Sequence, residues 1–287
     1  MHENAPGLTN AIILDVLKLV FEQEPASAVL VGGQALAFWV LALEVPVPEE
    51  LPPTVTRDLD ILCSMETAIA VHKRIGGKFF QATADDVTPN LARLSELING
   101  VPIDIDFMKG ILGVRNEALV KKSIVLSLAE PNIKIRVMHP YTIWLSRLEN
   151  LISIKEKRTP YGVAQANLSL AVLKQFILSQ VLGADQPLDT IYWMRHALMK
   201  FKSAKARDAV VDFNLCFSDC YVRGEVFLGG DGKKYDKICA KIERLIAHAA
   251  KVKNERMRKI AKCGSIVELN EGRLEELMYE AMKCPRE

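Results

Sequence analysis

The chain has 287 residues, 49% hydrophobic and 25% charged, which excludes disordered, collagen-like and fibrous classes and fits an ordinary globular protein. Its 37 basic and 35 acidic residues leave a net charge of +2, so no global field favours nucleic acid or an anionic membrane, although local basic patches remain possible. The longest apolar runs, such as Ala35 to Leu43, fall far short of the about 20 residues of a membrane span, and the first ten residues lack the basic-then-apolar order of a secretory signal.

A cytoplasmic protein with no membrane partner is therefore expected. Cys63, Cys216, Cys220, Cys239, Cys263 and Cys284 are scattered and form no CxxC pair, so free thiols in a reducing compartment are expected and a zinc site is not.

Along the chain, Thr9 is placed to cap a first helix whose apolar face is Ile12, Ile13, Val16, Leu17 and Val20, ending before Pro25. SAVLVGG reads as a short buried strand running into Gly32 and Gly33, and QALAFWVLAL as the apolar helix after it. Pro46, Pro48, Pro52 and Pro53 make the next segment a loop. TRDLDILC is the following strand, and Ser64 caps a helix to about Ile75. Asn99-Gly100 between apolar-rich runs is a hairpin signal, because a type I′ turn needs positive φ at both positions. Two antiparallel strands follow from it, roughly Ala92 to Ile98 and Val101 to Met108, with further strands at SIVLSL and IKIRVM.

After His139-Pro140 the pattern changes to amphipathic helices: YTIWLSRLENLISIKEK, GVAQANLSLAVLKQFILSQVL, DTIYWMRHALMKF, AKARDAVVDFNLCFSDCYV, YDKICAKIERLIAHAAKV, and a last one after Asn270. Two domains are expected, an α+β unit over residues 1–138 and an all-helical unit over 139–287.

Side chains on a strand alternate faces, so Asp58 and Asp60 point one way while Leu59 and Ile61 point the other. PIDIDFM repeats this with Asp104 and Asp106. Alternating acids also describe the solvated face of an antiparallel strand. If the two strands are neighbours in register, however, three or four carboxylates converge, and their repulsion is relieved by a divalent cation. Mg²⁺ prefers such hard oxygen ligands, and two ions about 4 Å apart can serve a phosphoryl displacement. Gly32-Gly33 at a helix start lets a phosphate approach the backbone N–H groups, or is simply a tight strand–helix turn.

In this order, VLVGGQAL, TRDLDIL and PIDIDFM resemble the DNA polymerase β-type nucleotidyltransferase superfamily, over about residues 27–110. The threonine and basic residue in VTRDLD, with a helical C-terminal half, are similar to its minimal, abortive-infection toxin-like branch. The resemblance implies a nucleotidyltransferase-like mixed sheet with flanking helices. It implies an NTP, ATP among the candidates, with its triphosphate at Gly32 and Gly33, and Asp58 and Asp60 holding Mg²⁺, two ions in all. Asp104 is the preferred third acid, ligating the second ion and lowering the pKa of the acceptor hydroxyl, with Asp106 a supporting group or alternate ligand. The acceptor oxygen would then attack the α-phosphate and expel pyrophosphate. The longer separation from Gly33 to Asp58 departs from the compact members and leaves the pocket rim open.

Around these acids, Thr56 alternates onto their face, where it can touch a phosphate or sugar, and Arg57 points oppositely if the strand is regular. Lys109 ends the hairpin strand, either solvated or near phosphate. Arg147, Lys155, Lys157 and Arg158 open the helical half; Arg147 and Lys155 are eight residues apart, near one helix face, and read as a solvated basic face or, by analogy with related enzymes, as a contact to the triphosphate or acceptor. The run Lys251, Lys253, Arg256, Arg258, Lys259 and Lys262 reads as a plain charged helix or an RNA-backbone contact. Trp39, Trp144 and Trp193 are expected in the core. No P-loop, HExxH or GxSxG pattern occurs. The expected function is Mg²⁺-dependent transfer of an NMP to an RNA 3′ end such as that of tRNA, a protein or a small molecule, with an antitoxin as a further partner. The alternative is a non-catalytic nucleotide- or partner-binding protein on the same fold.

Overall fold

A computed structural model describes residues 10–47, 58–98 except 84 and 87, 101–128, 133–182, 187–222, 224, 227 and 231–263. Its frame is a mixed sheet of seven strands: β1 (Val29–Leu30), β2 (Asp58–Leu62), β3 (Lys78–Gln81), β4 (Asn90–Ile98), β5 (Val101–Met108), β6 (Ile124–Leu128) and β7 (Ile133–Val137). Their order is β3-β4-β5-β2-β1-β7-β6. The β2–β5 and β1–β7 pairs are parallel and the other four antiparallel. The α+β expectation is met at this level.

Four helices are interleaved with the strands: α1 (Asn10–Gln23), α2 (Gly32–Ala42), α3 (Met65–Ile75) and α4 (Asn116–Lys122). Every described helical element from Pro140 onward follows the last strand: α5 (Pro140–Ser153), α6 (Pro160–Leu182), α7 (Pro187–Lys200), α8 (Ala204–Asp212) and α9 (Asp231–Cys263). Among the described residues, no helix is long and apolar enough to cross a membrane.

The expected caps and breaks can be followed residue by residue. Ser64 Oγ accepts from the Thr67 N–H at 3.2 Å and opens α3, as its sequence position predicts. The strand expected in SAVLVGG is only two residues long, because α2 begins at Gly32; the Val31 N–H still donates to the Asp60 carbonyl at 3.0 Å. The expected helix over AKARDAVVDFNLCFSDCYV breaks after Asp212. Asn214 there has φ +48, and a 3-10 turn covers Phe217–Cys220. The helix expected through Lys157 likewise stops at Ser153: Ile154 is extended, and Lys155–Lys157 form a 3-10 turn. The Thr9 cap, the Asn99-Gly100 turn, Thr56, Arg57 and the helix after Asn270 lie outside the described residues.

Two apolar clusters hold the chain together. One joins the sheet to α1 and α2 through Val20, Trp39, Ile61, Ile105 and Phe107, and takes Leu168, Val172 and Phe176 from α6. The other is helical, around Tyr141, Trp144, Trp193, Phe201 and Phe217. All three tryptophans are buried, as expected. Trp39 Nε1 donates to the Met138 carbonyl at 2.8 Å, which gives its polar edge a partner inside the core. Each large apolar side chain so buried stabilises the fold by about 1.5–3 kcal/mol.

Candidate functional site

The register of β2 on β5 decides what the acids can do. The strands run parallel with Asp58 opposite Asp104 and Asp60 opposite Asp106. All four carboxylates therefore share one sheet face, while Leu59, Ile61, Ile105 and Phe107 on the other face are buried. Placing like charges on neighbouring strands has an electrostatic consequence. Burial, with Asp106 close by, pushes the Asp60 carboxyl up to about 6. The Asp58 carboxyl is raised as well, by desolvation first and then by Asp104 and Asp106, against the opposing charges of Arg93 and Lys157.

The expected fourth ligand is already engaged. Asp106 is buried, and its two oxygens accept from Arg93 in a bidentate pair, Nε to Oδ1 at 2.6 Å and Nη2 to Oδ2 at 2.8 Å. Asn90 Nδ2 donates to the same Oδ1 at 3.0 Å. Asp104 accepts from Ser95 Oγ. Arg93 and Ser95 lie on β4 directly opposite Asp106 and Asp104. Among the described residues, no three or more His, Cys, Asp or Glu side chains converge closely enough to hold a metal ion. In donor type and face, Asp58, Asp60 and Asp104 fit a hard divalent cation, and the raised carboxyls are groups whose repulsion it would relieve. Asp106, saturated by Arg93 and Asn90, does not fit as a ligand in this arrangement.

Gly32 and Gly33 open α2 against this face. Gly32 has φ +65, and a Cβ built on it would run into the Asp60 carboxylate. The Gly33 N–H points at Asp60 Oδ2 at 3.4 Å, so Asp60 stands at the amide end of α2. A cavity of about 230 Å³ adjoins these groups, with Asp60, Asn90, Asp106, Arg147 and Lys157 in its wall. Arg147 comes from α5; burial lowers its pKa and the charge of Asp60 opposes that shift.

Arg147 lines the cavity beside the acids, but Lys155 does not. The helix ends between them, and of the two exposed lysines Lys155 and Lys157 it is Lys157 that lines the cavity. Lys109 is exposed at the end of β5. In the distal basic run, Lys251, Arg256 and Arg258 are exposed, and Lys253 is paired with Asp212 at 2.6 Å. The sequence reading missed Arg93 and Asn90, and of the lysines in the basic segment it preferred Lys155 to Lys157. A two-residue hairpin turn at Asn99-Gly100 would itself have paired Arg93 with Asp106 and Ser95 with Asp104.

No family model and no curated protein matches the chain. Among solved structures, the chain is similar to JHP933 from Helicobacter pylori, at 10% identity over 89% of this chain and 97% of that one, with a TM-score of 0.34, a likeness too distant to speak to activity.

Proposed function

We propose that the chain is a Mg²⁺-dependent nucleotidyltransferase with a DNA polymerase β-type core, moving an NMP from an NTP to a hydroxyl acceptor. The observation that carries this reading is the β2–β5 register, which gathers four carboxylates on one face beside a cavity walled by Arg147 and Lys157. A solvated sheet face has no need of a carboxyl buried enough to be pushed to about 6.

Asp58, Asp60 and Asp104 would hold the cation. Bound there, Mg²⁺ would offset phosphate charge and make the acceptor hydroxyl more acidic. The chain's own groups supply the rest. The amide end of α2 at Gly32 and Gly33 receives the triphosphate. Arg147 and Lys157 oppose its charge from the cavity wall. Asp104, kept oriented by Ser95 Oγ, accepts the proton of the acceptor hydroxyl. That oxygen forms a bond to the α-phosphorus as the bond to pyrophosphate breaks, and the leaving group carries away the displaced charge. Positioning and charge complementarity account for most of the rate in such a step. The acceptor is an RNA 3′ end, a protein hydroxyl or a small hydroxylated molecule.

The test is to incubate the protein with each α-labelled NTP, Mg²⁺, total cellular RNA and total protein, and to follow the label. Transfer or pyrophosphate release should disappear in Asp58→Ala and Asp60→Ala. Equal turnover in those folded variants would sink the mechanism. A wild-type chain that binds NTP without turning it over would leave a nucleotide-binding role instead.

A further inference from the structure

The rows that pair Asp58 with Asp104 and Asp60 with Asp106 do not stop at β5. Ser95 stands opposite Asp104 and Arg93 opposite Asp106; on the next strand, Lys78 stands opposite Ser95 and Phe80 opposite Arg93. Residues in one cross-strand row share a sheet face, so Lys78 and Phe80, on the edge strand β3, lie on the same side as the four acids. Leu97, two residues beyond Ser95 on β4, alternates onto that side as well. The opposite side is covered here: Phe79 stacks on His72 of α3, and Leu94 is buried. The acid side is open. Phe80 is 61% exposed and Leu97 64%, and Lys78 and Arg93 are exposed too. The cavity takes Asp60 and Asp106 into its wall but neither Asp58 nor Asp104. Those two acids instead begin the row that leads through Ser95 to Lys78 at the sheet edge.

Resting on the transferase reading above, we propose that this open strip receives a single-stranded RNA end as the acceptor, with a base stacked on Phe80, Lys78 on a backbone phosphate and the terminal hydroxyl brought to Asp104. An aromatic ring open on a sheet face is a platform that any base can use, and a neighbouring cation supplies the salt-sensitive part of the attraction. The charge of Arg93 is offset by Asp106, but only its Nε and Nη2 are engaged there, which leaves Nη1 for a further acceptor. β3 lies two strand spacings from β5, about 10 Å, further than a small hydroxylated molecule spans from Asp104 but within a short run of nucleotides. A second copy of this chain fits poorly, because self-pairing of the strip sets Lys78 and Arg93 against like charges.

The experiment follows the fluorescence anisotropy of a short single-stranded RNA, labelled at its 5′ end, on the full chain with Mg²⁺ and no NTP. Phe80→Ala should weaken binding about tenfold and Phe80→Trp should restore it. Lys78→Gln should lower the slope of log affinity against log salt by about 0.7. Lys251→Ala and Arg256→Ala, on the distal basic run of α9, should leave binding unchanged. A wild type that binds no RNA overturns the proposal, as does binding lost in the α9 variants but kept in Phe80→Ala. Self-association that depends on Phe80, in a chain that binds no RNA, overturns it in favour of a second copy. Nucleotide transfer to protein that persists in Phe80→Ala overturns the strip alone and leaves the transferase reading standing. Binding of RNA that depends on Phe80, in a chain that transfers no nucleotide, upholds the strip as an RNA site and overturns the transferase reading.

Discussion

Gly32 and Asp60 occupy each other's space: the first residue of α2 can lie against the second acid of β2 only because it has no side chain. The positive φ of Gly32 reinforces that demand. Gly33 has no positive φ and contributes its N–H. Gly32→Ala should therefore destabilise the protein by about 2 kcal/mol or more, through backbone strain plus displacement of Asp60. Gly33→Ala, which meets no positive-φ strain, should cost less. Urea denaturation of the two variants checks this, and equal losses would refute the distinction.

Asp60 ties stability to pH. Its carboxyl holds a proton more firmly in the folded chain, at about 6 against 3.8, so the folded form gains from it in acid and loses that gain as pH rises through about 6. Without divalent cations, the gap amounts to roughly 3 kcal/mol at neutral pH. Asp60→Asn should raise stability near neutrality by about 1–3 kcal/mol and change it little near pH 4. Denaturant melts at both pH values measure the difference, and a pH-independent effect would contradict the assignment.

His139 acts in the opposite direction. Burial pushes its imidazole down to about 3 from 6.5, and its Nδ1 accepts from the Tyr141 N–H at 3.0 Å, which requires that nitrogen to be unprotonated. Its contribution is complete above 6.5 and is lost as pH falls toward about 3. Acidification to about pH 5 should cost roughly 2 kcal/mol through this residue. His139→Asn, which can still cap α5, should flatten that part of the stability profile when melts are run at intervals between the two values.

Lys157 and Lys155 separate by position. Lys157 lines the cavity and opposes the raised carboxyl of Asp58, whereas Lys155, on the same short turn and like it exposed, does not line that cavity. Lys157→Ala should weaken binding of a non-hydrolysable NTP analogue about tenfold, or about 1.4 kcal/mol, and Lys155→Ala should leave it within about twofold. Isothermal titration of both variants tests the contrast, and equal weakening would place the triphosphate elsewhere.

Much of this arrangement was legible in the sequence because it rests on alternation. The strands of β2 and β5 announce their buried faces through Leu59, Ile61, Ile105 and Phe107, and the acids occupy what is left. What escaped was short or depended on register. β3 is a four-residue edge strand with little buried alternation, and α4 has only seven residues, too few for a periodic signal. Arg93 looked like any exposed strand residue until its cross-strand partner was known. Lys155 was preferred to Lys157 on an extrapolated helix face, but α5 ends at Ser153, Ile154 is extended, and both lysines lie on a 3-10 turn. Neither the parallel pairing of β2 with β5 nor the wall formed by α5 is written in local pattern, since both are tertiary choices.

The double allegiance of α6 bears on how the molecule comes apart. Leu168, Val172 and Phe176 face the sheet cluster, with Phe176 ringed by Trp39 and His139, while Ala166, Leu170, Leu173 and Ile177 face the helical one. A helix that is apolar on both sides cannot leave one cluster without exposing its face to the other. Thermal or chemical stress on the helices should thus be transmitted to the sheet, and the acid face should lose its register in the same cooperative transition that melts α6.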